Sequence, residues 1–310
     1  MMMKLLNYLM NVFKTIYKEK HTEMTIEKKT TPVVIKKIYL EEEEYYQDIL
    51  TKKTIYLHHT AGSHRPDWTV ASWERDKTSS GNVRHIATAY IIGGKSTRDG
   101  NTDWNGTIIE CLPPEKWAHH LGIKASNNVR LNKESIGIEI CNYGPLTKKG
   151  DSYYNYVNSK VPASDVVDLG FEYKGYNYYH LYTDAQIEAT KDLVRSLSEK
   201  FNIDLAKGMK RIINKSLLMP GDLDTLGKQK WLNLHGYLGA NGKALVEDGL
   251  IGGNTNYGMD SYTEDQEGDA FTLNKQALVG AEGVWTHTNV RKDKYDLCPQ
   301  PKMVEMLSNI

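Results

Sequence analysis

The chain has 310 residues, and 39 lysines and arginines balance 39 aspartates and glutamates to a formal net charge of zero. Without a global field of either sign, bulk electrostatics does not draw it to nucleic acid or to an anionic membrane. An apolar content of 40% is ample for one elaborated domain or two. The three cysteines, Cys111, Cys141 and Cys298, are too few and odd in number for a disulfide framework.

At the N-terminus, Leu5, Leu9, Val12 and Ile16 recur at helical spacing, with Leu6, Met10, Phe13 and Tyr17 beside them. The pattern predicts an amphipathic helix. Lys14 interrupts the apolar run and no small-residue cleavage site follows, so the segment reads neither as a signal peptide nor as a transmembrane span. Its apolar face suits docking on the domain or on a protein partner, with a membrane surface as the alternative. The acidic run Glu41 to Glu44 is expected to be solvated and to end a helical extension over residues 1–50.

From residue 51 onward, short strand-like runs alternate with loops. Thr54 to His58, Ala89 to Ile92, Thr107 to Glu110 and Ser135 to Ile140 are candidate strands, and Asp67 to Thr78 is a candidate helix packed through Trp68 and Trp73. Thr183 to Phe201 is the clearest helix, with capping-box spacing between Thr183 and Gln186 and an apolar stripe of Leu193, Val194, Leu197 and Phe201. Strands mixed with flanking helices predict an α/β layered fold. Residues 145–182 are dense in tyrosine, and residues 205–281 are glycine-rich and poorly periodic. Both read as insertions in a smaller core. The tyrosines fit strand packing in an added hairpin, with a sugar-stacking surface as the alternative.

Two distant pieces together have the composition of a metal site: His58-His59 near the end of one strand, and His287 followed by Lys294, Asp296 and Cys298. Imidazole, thiolate and carboxylate are all zinc donors, and three protein ligands with an open fourth position describe a catalytic centre. Successive strand residues face opposite ways, so only one of His58 and His59 reaches a shared ion.

Read together, His58-His59-Thr60-Ala61-Gly62, Ala118-His119-His120-Leu121-Gly122, Ser135-Ile136-Gly137-Ile138-Glu139-Ile140-Cys141, His287 and Cys298-Pro299 resemble the type 2 N-acetylmuramoyl-L-alanine amidases. That superfamily includes phage lysozyme-like amidases and peptidoglycan recognition proteins. The resemblance covers about residues 53–144, 183–204 and 282–310. It implies an α/β fold with a central mixed β-sheet flanked by helices, and a zinc amidase domain over residues 51–310 carrying both insertions. It also implies Zn2+-dependent hydrolysis of the amide between N-acetylmuramic acid and L-alanine in bacterial peptidoglycan.

By the same resemblance, His58, His287 and Cys298 are the metal ligands, with Asp296 the alternative third ligand because Lys294-Tyr295-Asp296 has the spacing of another branch. Glu139 is the acid/base, Lys294 the oxyanion stabiliser and His120 a substrate-binding residue. Ala87, Thr88 and Ala89 stand where relatives commonly carry a tyrosine or histidine. The expected setting is a phage lytic enzyme, held in the host cytoplasm until release to the cell wall or carried in the virion. A non-catalytic peptidoglycan-binding or virion structural protein and a cytoplasmic muropeptide-recycling amidase are the alternatives.

Overall fold

Continuous runs of β-branched and aromatic residues build the centre of the molecule. The computed structural model describes residues 33–310 except residue 216. The helix expected over residues 1–20 lies outside the described residues. In chain order come β1 (Ile35–Lys37), β2 (Thr54–His59), α1 (Pro66–Glu74), β3 (Tyr90–Ile92), β4 (Ile108–Glu110), α2 (Asn128–Lys133) and β5 (Ser135–Ile140). Then follow β6 (Pro145–Lys149), β7 (Ser152–Tyr154), β8 (Lys160–Val161), β9 (Val166–Tyr173) and β10 (Tyr176–His180). The remainder is α3 (Asp184–Phe201), α4 (Met209–Asn214), α5 (Thr225–Leu234), α6 (Gly253–Glu267), α7 (Lys275–Val279), β11 (Gly283–Thr286) and α8 (Pro301–Asn309).

The central sheet has the order β1-β4-β3-β5-β2-β11. It is mixed: β3 and β4 pair antiparallel, and the other neighbours are parallel. All six residues of β2 are buried, as a strand covered on both faces requires. The sheet starts before residue 51, because Ile35–Lys37 adds a strand alongside Ile108–Glu110. The acidic run is only partly solvated: Glu44 is buried and pairs with Lys77, while Glu41 to Glu43 are exposed.

Helix α3 begins at the predicted capping box, where Thr183 Oγ1 accepts from Gln186 N and Thr183 N donates to Gln186 Oε1. Its buried residues Ile187, Leu193, Val194 and Leu197 face the core, where each large apolar side chain contributes about 1.5–3 kcal/mol. Helix α3 packs on α8 and β3, and α4 packs on α8 and β11.

Residues 145–182 form a second sheet, antiparallel throughout, ordered β8-β7-β6-β10-β9. Its tyrosines serve mainly as packing: Tyr173, Tyr179 and Tyr182 are buried, while Tyr156 is exposed. The segment 205–281 holds four helices, α4 to α7, and a small core of Leu232, Tyr237 and Leu245. Helix α6 has no apolar stripe because its buried positions are Thr255, Gly258, Ser261 and Asp265. The Asp265 carboxylate takes two hydrogen bonds from Arg211, at 2.8 and 3.1 Å, in a buried ion pair. Among the described residues no helix is long and apolar enough to cross a membrane.

Candidate active site

Strand register brings the chemistry together. His58 on β2 lies directly opposite Glu139 on the parallel strand β5, so both side chains emerge on one face. On the other flank of β2, Thr286 pairs with Leu57, which sets His287 beside His58. Imidazole, imidazole and carboxyl therefore line up across three adjacent strands at their carboxyl ends, where ligands bind in open α/β sheets.

His58, His287 and Asp296 converge, each with one donor atom within 4.8 Å of the others. Nδ1 of His58 is 2.9 Å from Nδ1 of His287, and Oδ2 of Asp296 is 3.0 Å from His287 Nδ1 and 3.5 Å from His58 Nδ1. Donors about 2.0–2.1 Å from a tetrahedral zinc ion are separated from one another by about 3.3 Å, so this triangle has the dimensions of one face of such a site.

The outer hydrogen bonds agree with that use. His287 Nε2 is 2.8 Å from the carbonyl oxygen of Leu121, which can only accept, so the ring proton is on Nε2 and Nδ1 presents a lone pair to the cluster. His58 Nε2 is 3.0 Å from His120 Nδ1, and His120 Nε2 is 2.8 Å from Ser135 Oγ. With His58 donating to His120 and His120 donating to Ser135, Nδ1 of His58 is likewise free. Three facing lone pairs repel unless a cation lies among them, so the residues present fit a divalent ion. Gly137 makes room for this chain, since a Cβ there would stand 2.7 Å from Thr88 Cγ2 and 3.0 Å from His120 Nδ1.

Electrostatics sharpens the roles. Burial pushes His58 down to about 4, so it is a neutral imidazole at ordinary pH. Burial opposes ionisation of Asp296, yet the neighbouring imidazoles of His287 and His58 outweigh it and hold the carboxyl well below the usual range. Glu139 goes the other way. Burial and the nearby Asp296 push it up to about 8, against the pull of Lys294. Its Oε2 has no hydrogen-bond partner among the described residues. Glu139, Lys294 and the triad of His58, His287 and Asp296 all line one cavity of about 390 Å³, together with Trp73, Thr88 and Tyr295.

The structure separates residues that the sequence left together. His59 turns away from the triad, with Nδ1 2.9 Å from the Tyr182 hydroxyl and its ring against Gly144, where a Cβ would lie 2.7 Å from Nε2. Cys298, expected as the third ligand, is not in the cluster, and Asp296 occupies that corner instead. The Cys298 thiol is enclosed near Tyr173, Tyr179 and Tyr182, and burial pushes it up to about 12. Both ring nitrogens of His120 are engaged, by His58 and Ser135, so the ring braces His58 and presents no free nitrogen to the cavity. Ser135 and the Leu121 carbonyl were missed as parts of the site. The only hints were that Leu121 follows His120 in one matched segment and that Ser135 opens another.

The family profile described as N-acetylmuramoyl-L-alanine amidase matches residues 49–221, more than half of the chain. It spans His58, His120 and Glu139 and stops short of His287, Lys294 and Asp296. No curated protein matches the chain. Among solved structures, the chain is similar to PlyL at 16% identity, covering 55% of this chain and 76% of that one, with a TM-score of 0.32. It is also similar to a hydrolase, AmiA, from Staphylococcus aureus, solved with its ligand, at 10% identity over 96% of this chain and 88% of that one, with a TM-score of 0.38. A third is the N-acetylmuramyl-L-alanine amidase AmiD of E. coli, solved with anhydro-N-acetylmuramic acid-L-Ala-D-gamma-Glu-L-Lys, at 18% identity over 78% and 96%, with a TM-score of 0.33. With a profile match across the β2 and β5 motifs that line this cavity, the chain belongs to the N-acetylmuramoyl-L-alanine amidase family.

Proposed function

We propose that the protein is a zinc hydrolase that cleaves the amide between N-acetylmuramic acid and L-alanine in bacterial peptidoglycan. The observation that carries this reading is the buried His58, His287 and Asp296 triad facing the same cavity as Glu139, whose Oε2 lacks a partner. Zinc, when bound, makes a water molecule acidic and polarises the amide carbonyl. Glu139 takes a proton from the attacking water and delivers it to the departing alanine nitrogen, from a place on the same cavity where its Oε2 is unpartnered. Lys294 on the cavity wall offsets the negative charge that develops on the carbonyl oxygen. His120 and Ser135 hold the His58 ring in the tautomer a ligand needs. A phage lytic role, with release from the host cytoplasm or carriage in the virion, stays within this proposal on family resemblance alone.

Digestion of purified sacculi by the zinc-loaded protein tests the reading. New alanine amino termini are expected. New reducing sugar ends identify a glycosidase and overturn it, and release from soluble fragments but not from intact wall assigns the protein to recycling.

A further inference from the structure

The loop that carries Lys294 and Asp296 has no regular structure to hold it. Residues 291–300 form neither strand nor helix, although they supply one wall of the catalytic cavity and one corner of the triad. Their support comes from the second sheet. At the tip of the β9–β10 hairpin the Lys174 ammonium donates to the carbonyl oxygens of Lys292 and Lys294. Beside it, the buried Tyr173 hydroxyl lies 2.9 Å from the carbonyl oxygen of Phe271 and 3.3 Å from that of Leu297, and the Tyr176 ring meets the Tyr295 ring edge-on at 5.8 Å. Three residues of one hairpin thus grip the loop on both sides of Asp296.

Lysine is an unfavourable residue for the backbone it occupies here. Tyr173 pairs with Tyr176 across a two-residue turn, and both turn residues, Lys174 and Gly175, have positive φ, 47° and 88°. Asn-Gly is the pair such a turn prefers, because the left-handed backbone is crowded by the side chain of most other residues. Strain of this kind points to a use for the side chain that bears it. The use is visible in its reach: the half-buried Lys174 bonds nothing in its own hairpin and instead spans to main-chain oxygens 118 and 120 positions along the chain. Charge-assisted hydrogen bonds of this type are roughly twice as strong as neutral ones. An asparagine at the turn would ease the backbone and lose both.

We infer that Lys174 is a positioning residue: by clamping the Lys292 and Lys294 carbonyls from the second sheet, it holds the Lys294 side chain at the catalytic cavity and Asp296 at its corner of the triad. The tyrosine-rich segment is thereby part of the site's scaffold. The catalytic use of Lys294 that this serves rests on the amidase reading above.

The test compares Lys174→Asn and Lys174→Gly, which suit the turn and lack the ammonium, with Lys174→Arg, which keeps a long cationic donor, all in the full chain. In urea titrations the first two are expected to be no less stable than the parent. With zinc and a soluble muramyl peptide their kcat is expected to fall about 10-fold while KM stays within about twofold, and Lys174→Arg is expected to recover most of the loss. In a chain already carrying Lys294→Met, Lys174→Asn is expected to lower kcat no further, since the group it positions is gone. Competition with a chromophoric chelator is expected to show zinc held about 10-fold more weakly by Lys174→Asn, through the displaced Asp296. Parent-like kcat, parent-like zinc affinity, a full second loss on top of Lys294→Met, or a destabilised fold in both turn-compatible variants each overturn the positioning role. If the parent releases no amine, the amidase reading fails by itself, and zinc competition alone decides whether Lys174 holds the loop.

Discussion

Replacing Glu139 with glutamine separates the catalytic and energetic consequences of one buried carboxyl. The group has an ordinary value of 4.5 and is pushed to about 8 by burial and by Asp296. Below pH 4.5 it is protonated whether the chain is folded or not and costs nothing. Between 4.5 and about 8 the unfolded chain gives up this proton while the folded chain keeps it, so the native state loses stability as pH rises, with a plateau above 8. Each pH unit in that window amounts to about 1.4 kcal/mol, or about 3 kcal/mol by pH 7. Because the residue borders an open cavity, water reduces this to about 2 kcal/mol. Glutamine has nearly the same shape and no charge to disfavour. In urea titrations of chelator-treated protein, Glu139→Gln is therefore expected to match the parent at pH 4.5 and to exceed it by about 2 kcal/mol at pH 7. The same variant, loaded with zinc, is expected to keep its metal and lose about 10²–10⁴-fold in kcat. Parallel pH slopes for the two proteins, or an undiminished kcat, would refute the assignment of Glu139 as a buried acid/base.

Metal analysis of Asp296→Ala and Cys298→Ala distinguishes the two possible third ligands: the first is expected to lose stoichiometric zinc and the second to retain it, at a packing cost of about 1 kcal/mol. Ser135→Ala, which ends the hydrogen-bond chain through His120, is expected to weaken zinc binding by about 10-fold or more in competition with a chromophoric chelator. In the helical segment, Arg211→Ala leaves the Asp265 carboxylate buried and uncompensated, and denaturant unfolding is expected to report a loss of about 3–5 kcal/mol.

The sequence made the central sheet readable because its strands are short, apolar and ended by polar or glycine-containing loops. Thr54 to His58, Ser135 to Ile140 and the Thr183 capping box stand within a residue of their expected bounds. The helices between residues 205 and 281 were not readable. Periodicity reports apolar burial, and α6 buries threonine, glycine, serine and aspartate, held by hydrogen bonds and the Arg211 ion pair. At the site, motif order identified His58, His287 and Glu139 as members. The choice between Asp296 and Cys298 was a matter of loop geometry: the two lie two residues apart, and only the tertiary surroundings put one beside the imidazoles and the other among tyrosines. A cavity lined by Lys174, by Thr272 and Leu273, and by residues 292–295 was invisible in the sequence because its walls come from three separated segments.

The parallel pairing of β2 with β11 joins residues more than 220 positions apart, and two of the three donors, His287 and Asp296, arrive only with that final strand. Almost all of the conformational entropy of closing this loop must be surrendered before an ion gains a second ligand. In the proposed zinc site, capture of the ion is then a late event in maturation, a seal on a finished scaffold rather than a seed for it. A nascent or C-terminally clipped chain that retains the whole profile-matching region would offer such an ion only one member of the triad, His58. Metal occupancy thereby reports whether the tail of the polypeptide has docked.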